Sequence, residues 1–118
     1  MNVRSDRGAA ILEFTGFLPL LLFIALAVIQ LGLVGYTYEQ AGSAARAAAR
    51  SASQGHSGDA SGKAAISSWL ASDALITGDL CFGDMDTVTQ KATLQIPTLV
   101  PFVDMRWEAD RTVTMPCD

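Results

Sequence analysis

The sequence predicts an α+β protein: a long N-terminal transmembrane helix extending into a stalk, then a small extracytoplasmic head with a short helix and an antiparallel β-hairpin. Three observations predict it. Residues 14–38 contain no Asp, Glu, Lys or Arg, the Ala-rich stretch that follows keeps helical character, and period-two alternation begins only at Thr87.

The uncharged run comes first. It exceeds the roughly 20 residues needed to cross a hydrocarbon core of about 30 Å, so it reads as a spanning helix. A secretory signal peptide is the rival reading, but the run is longer than the ~7 to 15 residues of a signal's apolar region. The residues after it also stay helical in pattern. Pro19 lies inside the run, where it removes one backbone hydrogen bond and predicts a local kink, a defect better tolerated in membranes than in water.

Orientation follows from the flanks. Arg4 and Arg7 precede the span with only Asp6 against them, which favours a cytoplasmic N-terminus. Arg46 and Arg50 oppose this from a position well past the span. The two cysteines, Cys81 and Cys117, decide it: both lie in the tail, and a lone pair in a small tail suits an oxidising compartment. The expected location is therefore the plasma (inner) membrane, single-pass, with the head extracytoplasmic.

Beyond the span, EQAGSAARAAARSASQ is rich in Ala, the best helix former, and predicts that the helix continues to about Gln54. Ala41, Ala45 and Ala49 recur at intervals of four and form a small-residue ridge that lets another helix come close. The chain thus divides into a polar leader at 1–8, a membrane helix and stalk at 9–54, a Gly/Ser linker at 55–60 and a head at 61–118. Within the head, 61–76 places Ile66, Trp69 and Leu70 on one face of an amphipathic helix.

Two strands complete the head. Ala92, Leu94 and Ile96 alternate with Lys91, Thr93 and Gln95, and residues 105–115 alternate similarly apart from Arg111 on the apolar side. The intervening Pro97 to Val103 stretch carries two prolines and reads as their connection. A hairpin alone is marginal in water, so it must pack on the 61–76 helix or on the stalk. A Cys81–Cys117 bridge would staple so small a core by about 4 kcal/mol on the chain-entropy argument.

Glu13 is the most informative residue. An ionised side chain at the centre of a membrane helix costs about 2.5 to 3.5 kcal/mol, so an acid at the head of the apolar run calls for a partner or for snorkelling to the interface. The spacing Gly8-Ala9-Ala10-Ile11-Leu12-Glu13 resembles the type IV prepilin processing site, with basic residues ahead of it. The resemblance implies cleavage between Gly8 and Ala9 by a prepilin peptidase, leaving Glu13 to neutralise the new α-amino group and set axial register between subunits.

The stretch covering about residues 7 to 52, RGAAILEFTGFLPLLLFIALAVIQLG and then AARAAAR, is similar to the TadE-like family of Tad-type pilus assembly pseudopilins. The features carrying it are Arg7-Gly8, the Glu13-Phe14 pair, Pro19 followed by leucines, and an Ala/Arg helix with Arg46 and Arg50. The family implies a structural role as a minor pilin in pilus biogenesis. Its partners would be the prepilin peptidase, other pseudopilins, the major pilin, the inner-membrane assembly platform and membrane lipid. Arg46 and Arg50 share a face one turn apart and fit either contacts between helix stalks or a solvated stalk face. The alternative is an unprocessed single-pass anchor presenting an extracytoplasmic binding module.

Other chemistry is not indicated. The net charge of −4 and the lack of a basic stripe argue against nucleic acid. His56 is the sole histidine, in a Gly/Ser linker without ligands at metal-binding spacing. Asp79, Asp84 and Asp86 lack the full pattern of a calcium loop. No metal, cofactor or catalytic arrangement is expected. Trp69 and Trp107 read as core anchors, while Gln30, Gly32 and Gly35 fit either helix packing or ordinary membrane-helix composition.

Overall fold

A computed structural model describes residues 3–99 and 107–117, with side chains from residue 8 onward. One helix, α1 (Val3–Ser53), runs through the leader, the apolar span and the Ala-rich segment without interruption, with Pro19 inside it. It is long and apolar enough to cross a membrane once, with a mean hydropathy of 2.6 over its most apolar stretch. None of that stretch is covered by the rest of the chain. The molecule measures 87 × 21 × 18 Å.

The end of α1 is encoded by Gly55. At φ +80° it occupies the left-handed region that side chains disfavour. Its N–H donates to the Ala52 carbonyl at 3.0 Å and the His56 N–H to the Ser51 carbonyl at 3.0 Å. These two bonds satisfy carbonyls that the last helical turn would otherwise leave open, the Schellman arrangement.

Two short helices follow, α2 (Gly58–Ala64) and α3 (Ser68–Ala71), and then β1 (Leu75–Gly78). The single helix expected over 61–76 is therefore broken. Ser67 enters α3 in an extended conformation, its N–H donating to the Gln40 side-chain oxygen at 3.0 Å. Leu75, Ile76 and Thr77 then pair with β2 instead of adding a helical turn. Strand pairing outweighs the local helical period, as tertiary context commonly does.

β2 (Thr87–Gln95) and β3 (Glu108–Pro116) form the expected hairpin, and with β1 they make a three-stranded antiparallel sheet in the order β1-β2-β3. Register places Ile76 opposite Ala92, Leu94 opposite Ala109 and Gln90 opposite Val113, all on the face turned to α1. Met105 and Arg106, read as the start of the second strand, lie outside the described residues, as do Val100 to Val103 of the connection.

The core sits between this sheet and the upper half of α1. Ala41, Ala44, Ala45 and Ala48 are fully buried together with Ala92, Leu94 and Ala109, and Leu70, Ala74, Ile76 and Ile96 close the edges. Alanines on α1 let the sheet lie close to the helix backbone. The ridge of Ala41, Ala45 and Ala49 is thus occupied by the chain's own head and is not free for another helix. What reads as a projecting stalk is the spine of the head.

The helix α2 completes the packing by small-residue contact. Any Cβ at Gly58 would lie 2.9 Å from the Ala48 carbonyl oxygen, and one at Gly62 would lie 3.0 Å from that of Ala44 and collide with Ile76. Two glycines one turn apart therefore seat α2 directly on α1. At the far end, Cys81 and Cys117 are joined in a disulfide, their Cα atoms 5.9 Å apart. The Cys81 N–H donates to the Ala52 carbonyl and the Cys117 N–H to the Asp86 carbonyl, fixing this end to the top of α1.

Candidate assembly surface on the N-terminal helix

Gly8, Ala9, Glu13, Phe14 and Pro19 all lie on the exposed lower half of α1. Helical spacing puts Ala9 and Glu13 one turn apart on the same side, so a carboxylate here is within reach of an amino group created at residue 9. Ala10, Glu13, Phe14, Gly16 and Phe17 outline a shallow open groove, in which the missing side chain of Gly16 leaves a hollow beside two aromatic rings. Glu13 makes no hydrogen bond or ion pair with any other described residue.

The bond between Gly8 and Ala9 lies within α1, since the helix already begins at Val3. From Val3 onward the expected leader is thus helical in this structure. A peptidase acting there would have to open at least one turn.

Arg46 and Arg50 are both exposed but serve different surroundings. The Arg46 guanidinium donates from Nε to the Gly42 carbonyl at 3.1 Å and lies beside Arg111, the side chain that breaks the apolar alternation of β3. Gly42, Arg46 and Arg111 border a cleft of about 370 Å³ with residues 112–115. Arg50, one turn further along the same face, borders a different, open depression with Gln54, His56 and Ser61. Neither arginine has an acidic partner among the described residues. The ion pairs that do form, Lys63 with Asp59 and Lys91 with Asp110, are exposed and contribute little.

The tryptophans are not core residues. Trp69 is 51% and Trp107 45% exposed, because the break before α3 and the position of Trp107 just ahead of β3 leave both rings at the edge of the packed region. Trp69 instead stacks on Tyr36, with ring centroids 6.1 Å apart and planes within 10°. The Tyr36 hydroxyl shares a 2.6 Å hydrogen bond with the Ser67 hydroxyl.

Gln30 has a role that the sequence leaves open. Its Nε2 donates to the Pro97 carbonyl at 2.9 Å and its Oε1 accepts from the Leu99 N–H at 2.9 Å. Among the described residues no three His, Cys, Asp or Glu side chains come together in a way that would hold a metal ion.

An uncovered apolar helix, continuous with the core of a small disulfide-linked α+β head, defines a helix-anchored membrane protein of single-pass design. Residues 8–50 match the family model described as TadE-like protein. The match thus spans the apolar helix from Gly8 up to Arg50 and makes this segment TadE-like, while the sheet lies beyond it. Comparison with curated proteins found no match, and comparison with solved structures found none.

Proposed function

We propose that the protein is a minor pilin or pseudopilin that takes part in Tad-type pilus biogenesis after cleavage between Gly8 and Ala9. The observation that carries this reading is the pairing of a TadE-like segment with an exposed Glu13, one turn above Ala9, that has no partner among the described residues. Removal of the leader exposes a positive amino group at the tip of an apolar helix, and Glu13 of the same or an adjacent subunit neutralises it. Ion pairs taken out of water are weak stabilisers but good register devices, and smooth apolar helices need one.

The role is one of assembly and not of catalysis. In this reading the N-terminus is cytoplasmic, the head extracytoplasmic, and the partners are the prepilin peptidase, other pseudopilins, the major pilin and the inner-membrane platform. N-terminal mass spectrometry of the native protein tests it. The expected first residue is Ala9, and an intact leader in cells with an active prepilin peptidase would overturn the reading. Glu13→Gln is expected to leave membrane insertion unchanged and to abolish co-purification with pilus components; undiminished co-purification would remove Glu13 from the assembly contact.

A further inference from the structure

We propose that the head is seated in the bilayer that α1 crosses, through a collar of half-exposed aromatic side chains and a backbone segment docked on Gln30. The occupant of this surface is the boundary between lipid headgroups and acyl chains on the head's side of the membrane.

Position along α1 carries the argument. About 20 helical residues cover the ~30 Å hydrocarbon core, and counted from Phe14, the first residue of the uncharged run, they end near Leu33. Gln30 is therefore roughly one turn inside the apolar boundary and Tyr36 about one turn outside it. The ~9 Å of helix between them straddles that boundary, and its outer ~4.5 Å falls within the ~5 to 8 Å of interfacial layer on that side of the bilayer.

At this depth an amide side chain and open backbone groups are costly unless they satisfy one another. Gln30 satisfies both: its amide accepts from the Leu99 N–H and donates to the Pro97 carbonyl. Pro97 has no N–H that would need a partner. The segment Pro97 to Leu99 can thus lie at the apolar boundary with these groups paired, and Leu99, 45% exposed, is left facing outward.

The aromatics meet α1 near this boundary from two directions, since Gln30 and Tyr36 are about 120° apart around the helix. On the Gln30 side, the Trp107 carbonyl accepts the Ile96 N–H at 2.9 Å, one residue from the Pro97 carbonyl that Gln30 holds. On the other, Trp69 stacks on Tyr36. Rings with one apolar body and one polar atom favour the membrane boundary. The collar is also continuous with the uncovered apolar surface of α1 below it, which is the part a bilayer must enclose.

The two tryptophans, the full complement of the chain, are the probes. The full-length protein is reconstituted in phosphatidylcholine–phosphatidylglycerol vesicles as single-tryptophan variants, Trp69→Phe and Trp107→Phe. Resistance to alkaline carbonate extraction reports insertion of α1 separately. Lipid brominated near the headgroup end of its acyl chains is expected to quench each remaining tryptophan at least twofold more than lipid brominated near the chain terminus. A carbonate-resistant protein whose tryptophans are untouched by either bromolipid, yet fully quenched by aqueous iodide, would overturn the seating while leaving the membrane span and the proposed assembly role intact.

Discussion

Gln30 and Glu13 are both polar side chains in an apolar helix, and their surroundings separate them. Gln30 is satisfied within the chain by Pro97 and Leu99, whereas Glu13 has no partner among the described residues. Gln30→Leu is expected to leave the Pro97 carbonyl and the Leu99 N–H unpaired, at about 1 to 3 kcal/mol for groups shielded from water. Hydrogen exchange checks this: the Leu99 amide should exchange at least tenfold faster in the variant, while the β2–β3 ladder amides keep their protection. Unchanged Leu99 exchange would show that the two bonds do not hold the connection. Glu13 is visible in the sequence because a charge in an apolar run is locally anomalous. The role of Gln30 is not legible there, since its partners lie 67 and 69 positions away and nothing local distinguishes it from ordinary membrane-helix composition.

At the scale of elements, alternation and length decide what can be read. The long helix and the β2–β3 hairpin are legible, because the uncharged run and the Ala92, Leu94, Ile96 pattern are strong periodic signals. β1 is only four residues long and is held by its pairing to β2, so its sequence merges into a helical pattern that puts Trp69 in the core. The Ala41, Ala45, Ala49 ridge is a close-approach surface, as its spacing predicts, but its occupant is the chain's own head and not a neighbouring helix. The glycine contacts of α2 test this packing. Gly62→Val would force side-chain atoms against Ile76 and the Ala44 carbonyl, and overpacking of this kind costs about 1 to 3 kcal/mol. A lowered denaturation midpoint for the head is expected, with Ala64→Val, at the exposed end of α2, as the near-neutral control.

At the scale of the whole molecule, the disulfide closes what the small core cannot hold alone. Cys81 and Cys117 are 36 residues apart, and closing such a loop stabilises the folded head by about 4 kcal/mol on the chain-entropy argument. Replacing both by Ser is expected to lower head stability by roughly that amount, and reduction of the native protein should shift its electrophoretic mobility. Two freely alkylated thiols in the unreduced protein would contradict the bridge. This pairing is legible because only two cysteines exist. The packing that surrounds it is not, since the contacts of Cys81 with Ala52 and of Cys117 with Asp86 arise only once the sheet lies on the helix.

Because α1 serves below as the membrane segment and above as the backbone on which the sheet is laid, there is no hinge between Gln30 and Ser53 at which the two could swivel. Torque or axial tension applied to the lower, apolar half is delivered to the sheet as though through a single rod. Spin labels placed on Val28 and on Thr89 should therefore tumble with one common correlation time.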